Sequence, residues 1–117
     1  MPYAGQWPYE VHLYPNRRHR DLASLDEAEL DSLAVIYLDL LQRFDRLFET
    51  PAPYVAAWHQ APVGPVGRDF AMHLELFTNR RTSATLKQLA GTELGMEVFS
   101  NDVIPEQAAQ RLRQAAV

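Results

Sequence analysis

Hydrophobic and polar residues alternate from Tyr9 to Tyr14, so that Val11 and Leu13 share one face and Glu10, His12 and Tyr14 the other, as in a half-buried strand. Pro15-Asn16 ends it. The period then lengthens. Leu30, Leu33, Ala34, Tyr37, Leu40, Leu41, Phe44, Leu47 and Phe48 recur every three or four residues and predict a long amphipathic helix. Ser24-Leu25-Asp26-Glu27 has capping-box spacing, Asp26, Glu27 and Glu29 suit the positive end of the helix dipole, and Pro51 lies just past the far end. Tyr54 to His59 reads as a strand of small and aromatic residues suited to burial on both faces.

Pro62, Gly64, Pro65 and Gly67 mark a loop, and Phe70 to Phe77 alternates again. Phe70, Met72, Leu74 and Leu76 face one way; Ala71, His73, Glu75 and Phe77 face the other. These last two strands predict an antiparallel hairpin. Between Thr82 and Met96 the pattern is mixed, with a short Leu86 to Ala90 run and glycines at Gly91 and Gly95, so a loop with at most short helices is expected. Ile104-Pro105-Glu106-Gln107 starts a short terminal helix, with Ala108, Ala109, Leu112 and Ala115 as its apolar stripe. The expected class is α+β: an antiparallel sheet with one long helix and a short C-terminal helix.

The 117 residues suit one domain, and 47% hydrophobic with 22% charged residues excludes a disordered or fibrous chain. No apolar run approaches the roughly 18 residues of a membrane span. The start Met1-Pro2-Tyr3 lacks the basic and apolar segments of a secretory signal, so a cytoplasmic location is expected. A net charge of -4 argues against a general nucleic-acid binder, which needs a dominant basic face. There are no cysteines, so any metal has to be held by histidine and carboxylate.

That constraint directs attention to three side chains. His73 and Glu75, two apart on a strand, leave the same face, and His59 on the neighbouring strand completes a His, His, carboxylate set suited to zinc or non-haem iron. The alternative is a hydrogen-bonded pair in a sheet. His12 is expected to be a surface or supporting residue, and Arg17-Arg18-His19-Arg20-Asp21 a solvated basic loop. Lys87 and Glu93 flank Gly91, which permits close backbone approach of a ligand; the plainer reading is an exposed loop with scattered charges. Arg80 and Arg81 suit either phosphate or solvent. No phosphate-binding glycine loop and no Ser/His/Asp order announces a nucleophile.

Five blocks in order carry a family resemblance: Trp7-Pro8-Tyr9-Glu10-Val11, Trp58-His59-Gln60-Ala61-Pro62, His73-Leu74-Glu75, Lys87-Gln88-Leu89-Ala90-Gly91-Thr92-Glu93 and Pro105-Glu106-Gln107-Ala108-Ala109-Gln110-Arg111-Leu112. Together they resemble the C-terminal half of galactose-1-phosphate uridylyltransferases, members of the histidine-triad superfamily, across nearly the whole chain. The resemblance implies a histidine-triad-like half, an antiparallel sheet with helices packed on it. It also implies uridylyl transfer between UDP-glucose and galactose 1-phosphate through a histidine in a His-Pro-His motif of the N-terminal half. This sequence contains no His-Pro-His.

By the same resemblance His59 and His73 match ligands of a structural zinc or iron ion. Glu75 stands where the family has a second histidine of a His-x-His strand, and the fourth ligand is a glutamate of the other half. Lys87 and Glu93 match residues that reach the hexose phosphate of a UDP-hexose; Ala90 matches a small apolar position of that loop, and Thr92 replaces a frequent tyrosine. The implied partners are UDP-hexose or hexose 1-phosphate, the N-terminal half of the same enzyme, and a second copy in a homodimer. The rival readings are a non-catalytic nucleotide- or metal-binding module of the same architecture, and a small nucleotide hydrolase or phosphorylase, which lacks its His-x-His-x-His run here.

Overall fold

The computed structural model describes residues 1–64 and 69–116. Its longest element is helix α1, Glu27–Phe48, which follows strand β1, Tyr9–Leu13, and a single 3-10 turn at Leu22–Ser24. Strands β2 (Val55–His59) and β3 (His73–Thr78) come next, then a short helix α2 (Gly91–Met96) and a terminal helix α3 (Pro105–Gln114). The α+β class and the order of elements are as the residue pattern predicts. The loop positions Pro65 and Gly67 lie outside the described residues.

The start of α1 differs from expectation. Its capping box is Asp26 with Glu29, not the spacing that begins at Ser24: Asp26 Oδ1 accepts Glu29 N at 2.9 Å and Glu29 Oε2 accepts Asp26 N at 3.0 Å. Ser24 is already engaged, donating its hydroxyl to Asp21 O at 2.7 Å inside the 3-10 turn. At the far end Glu49 takes a left-handed conformation (φ 54°), and Pro51 follows.

The sheet order is β1-β3-β2 with both pairings antiparallel, so β3 is the central strand. Its alternation is strict: Leu74, Leu76 and Thr78 are buried, while His73, Glu75 and Phe77 leave the opposite face. The buried face packs with Tyr9 against Phe44 and Phe48 of α1 and Ala108 and Leu112 of α3. Tyr9 and Phe48 meet edge to face, ring centres 5.4 Å apart. Arg43 of α1 ties the two helices by donating to Leu112 O at 2.9 Å, across the C-terminal end of α3.

Strand β2 was expected to be buried on both faces, and it is not. It is an edge strand with Val55 and Ala56 exposed and Trp58 half-buried, and the core cluster built with α1 and α3 takes in none of its residues. Strand β3 also begins at His73 rather than Phe70, although Met72 keeps its buried place. Among the described residues no helix is long and apolar enough to cross a membrane.

Candidate metal centre

The outward face of the sheet gathers the three candidate ligands. His59 lies directly opposite His73 in the register, and Ala57 lies opposite Glu75. The small Ala57 side chain leaves the Glu75 carboxylate room to lean toward His59: Glu75 Oε2 is 3.3 Å from His59 Nε2, and Glu75 Oε1 is 3.5 Å from His73 Nε2. All three ligand atoms lie within 4.8 Å of one another. Four ligands at zinc-to-nitrogen or zinc-to-oxygen distances of about 2.0–2.1 Å in a tetrahedron stand about 3.3 Å apart. Each histidine meets a different Glu75 oxygen near that distance, and the three ligand atoms, spread within 4.8 Å, would close in slightly on a shared ion.

The tautomer of His73 fits as well. Its Nδ1–H donates to Ala71 O at 2.9 Å, which leaves the Nε2 lone pair directed at the cluster; this is the arrangement that metal-ligating histidines use. The ring is held by stacking on His59 (centres 4.8 Å apart, planes 10° apart) and on Tyr14 (4.9 Å, 23°). The donor set and its spacing therefore suit a hard or borderline divalent ion. The Glu75 carboxylate gives the cluster negative charge and oxygen character.

His12 belongs to the same face, directly opposite Glu75 across β1 and β3, with its Nε2 3.9 Å from Glu75 Oε1. It is turned to Glu10 instead, at 2.8 Å. The Glu10 carboxylate is fixed by Gln6 N (2.9 Å) and Trp7 N (3.3 Å), so it is an acceptor and His12 Nε2 carries the proton. His12 is thus a neighbour of the cluster rather than one of its ligands.

Lys87 and Glu93 are not scattered charges on an exposed loop. Glu93 is 3% exposed and Lys87 8%, and their ion pair measures 2.6 Å. The Lys87 ammonium also donates to Ser100 O at 2.6 Å and Gln6 O at 3.2 Å, which accounts for its three protons. It sits over the Trp7 ring, 5.5 Å from its centre. The Lys87 hydrogen bond, with the amides of Ala90 and Ser100, holds the Glu93 carboxyl down to about 2. Above this pair opens a cleft of about 280 Å³, walled by Arg81, Gln88, Ala90, Asn101 and Asp102. Thr92, exposed on α2, is not part of that wall.

Two other readings change. Arg80 turns back on its own loop, donating to Ser83 O at 2.9 Å, and its Nε is buried without a partner among the described residues; Arg81 pairs with Asp102. In the basic loop His19 is buried at 8% exposure rather than solvated, bonded to Ser24 Oγ (3.1 Å) and Glu29 Oε1 (2.9 Å). Sequence reasoning missed His19 because charge runs are read as solvent-facing; the one available signal was an aromatic titratable group among arginines.

Fold and cluster together define an α+β antiparallel-sheet domain carrying a His, His, carboxylate centre on its open face. Residues 1–117 match the family described as galactose-1-phosphate uridyl transferase, C-terminal domain, and the chain belongs to that family. It is 47% identical to the galactose-1-phosphate uridylyltransferase of Streptomyces lividans, covering 99% of this chain and 35% of that protein. To the Thermotoga maritima enzyme of the same name it is 34% identical, covering 100% of this chain and 37% of the relative. A solved uridylyltransferase structure superposes with a TM-score of 0.90 at 34% identity, over 97% of this chain and 36% of that one. The chain thus spans about a third of the length of these relatives.

Proposed function

We propose that this domain contributes a structural metal site and UDP-hexose contacts to a UDP-glucose–hexose-1-phosphate uridylyltransferase, with the nucleophilic histidine supplied by an N-terminal half. The observation that carries the reading is the convergence of His59, His73 and Glu75 at ligand spacing on one sheet face. Zinc or iron held there supplies a fixed cross-link between β2 and β3, and a fourth donor from the other half would join the two halves through the ion. None of the three is proposed as a nucleophile, since each would serve as a ligand of the ion.

The cleft over Lys87 and Glu93 supports a role in holding the hexose phosphate part of the substrate. Because the Lys87 ammonium is saturated, its direct contact with a phosphate would replace the longest of its bonds, the one to Gln6 O at 3.2 Å. Glu93 shapes the floor and fixes the Ala90 amide. Apolar side chains left in the open at Val35, Leu38, Tyr54 and Val55 are consistent with a covering partner, here the N-terminal half or a second copy.

The test joins metal analysis with a ligand titration and an activity assay. The purified chain is expected to bind about one zinc or iron ion per molecule, to lose it in His59→Ala, and to show no uridylyl transfer until an N-terminal half bearing His-Pro-His is added. Robust turnover by the chain alone, or a uridylyl group trapped on His59 or His73, would overturn the division of labour.

A further inference from the structure

His59 and His73 form the last pair of the β2–β3 ladder, and the residues between them make a long connection. A terminal pair joined by a long loop is where a ladder frays, because the loop restrains its ends little. Yet three hydrogen bonds from one distant segment fall on the residues flanking the two histidines. Ala61 N donates to Arg20 O and Met72 N to His19 O, each at 2.8 Å, while Gln60 Oε1 accepts Leu22 N at 2.9 Å. Segment 19–22 therefore bridges the end of β2 and the start of β3, like a buckle.

The buckle needs an anchor of its own, and His19 is the residue placed to give it. Its ring is buried, and its two nitrogens reach Ser24 Oγ in the 3-10 turn and Glu29 Oε1 in the first turn of α1. Glu29 is itself fixed twice more, by Asp26 N at 3.0 Å and by Arg17 Nε at 2.9 Å. The path from the capped end of α1 to the ladder end is thus an unbroken run of short hydrogen bonds, ending one residue from His73 and two from His59.

We propose that His19 is a positioning residue for the sheet-face metal site: by anchoring segment 19–22 to the first turn of α1, it holds the strand ends that set the His59 to His73 separation. This rests on the metal reading above. Helix α1, packed on the core through Phe44 and Phe48, serves as the rigid reference, so the ligand spacing is set from outside the sheet as well as by the ladder. The side chain of His19 touches neither ligand and acts through the backbone of its segment, the carbonyls of residues 19 and 20 and the amide of Leu22.

The experiment is a zinc competition titration against a chromophoric chelator for the wild-type chain, His59→Ala, His19→Ala and His19→Gln, each checked by circular dichroism for folding. His19→Ala is expected to weaken zinc binding by about 10–100-fold, the range for supporting residues of a metal site, and His19→Gln, which can still donate to Glu29, to recover most of it. A purely structural role would lower the melting temperature without this split in affinity.

A measurement on the unmutated chain keeps the idea testable if His19→Ala does not fold: zinc should slow hydrogen exchange at the Ala61 and Met72 amides while leaving the centre of α1 unchanged. Zinc binding that is lost in His59→Ala but unaltered in both His19 variants, or unchanged exchange at those two amides, would overturn the positioning role and leave the metal site standing. No zinc binding by the wild-type chain would remove the metal site of this domain on its own, and with it the positioning role argued here for this chain.

Discussion

Leu76→Ala tests the packing on which the outward chemistry depends. Leu76 is fully buried in the central strand, opposite Val11 on β1 and Ala56 on β2, and it belongs to the cluster of Tyr9, Phe44, Phe48 and Leu112. Truncation removes three carbons, about 2.4 kcal/mol of transfer free energy at roughly 0.8 kcal/mol each. Strands on both sides prevent the site from collapsing, so a cavity term adds to this, and the total is about 3–4 kcal/mol. Against a total stability of roughly 5–15 kcal/mol, the domain stays folded but loses a large share of its margin.

The assay is urea denaturation followed by far-ultraviolet circular dichroism and by the fluorescence of Trp7 and Trp58, with a thermal melt in parallel. For a chain of this size the melting temperature should fall on the order of 10–20 °C. Because His73 and Glu75 precede Leu76 on the same strand and face the other way, saturating zinc should recover part of the loss by mass action, about 2.7 kcal/mol at 100 times the dissociation constant. A loss below about 1 kcal/mol with an unchanged denaturant slope would refute the central, uncollapsible position assigned to Leu76.

Asp26→Ala removes the side-chain cap of α1 and should cost about 1 kcal/mol, read from the urea midpoint; Ser24→Ala, outside the capping box, should leave the helix-start amide protection of Glu29 intact. Glu75→Gln keeps the shape of the third ligand but removes its charge, and zinc affinity should drop roughly 100-fold, since apparent zinc energies of about 10–16 kcal/mol shared over four ligands come to about 3 kcal/mol each; a competition titration reads it. The Glu93 carboxyl, held from 4.5 down to about 2, adds stability that is fully present above the ordinary value and is lost as pH falls through that window. Urea midpoints across it should therefore show a shallower acid limb in Glu93→Gln, with the remaining slope due in part to Glu29, which the Arg17 hydrogen bond also holds near 2; an unchanged limb would contradict the pairing with Lys87.

Much of the fold was legible in the residue pattern because its elements are long or strictly periodic. The stripe from Leu30 to Phe48 made α1 plain, and the alternation through Leu74 and Leu76 gave β3 its inward and outward faces. Element edges were less so. Ser24 and Asp26 are both good caps, and only the prior use of the Ser24 hydroxyl in the turn at Asp21 decided between them. The burial of β2 was not legible because composition reports how apolar a strand is, whereas exposure depends on what packs over its faces, and the core cluster takes in no β2 residue.

For the site, spacing of two along a strand already put His73 and Glu75 on one face, and the absence of cysteine limited the ligand types. Those facts belong to the chain alone, as do the helix stripe and the order of the family's blocks, since they follow from the geometry of a pleated or helical backbone and from residue identity. Tertiary structure decided the rest. It set His59 against His73 in register, opened space over Ala57, buried Lys87 with Glu93, and turned His19 from an expected solvent-facing charge into a buried link between α1 and the strand ends. The physical reason is the same in each case: local sequence determines which way a side chain leaves its own backbone, but what it meets there is set by segments tens of residues away, whose approach is governed by the packing of the whole core.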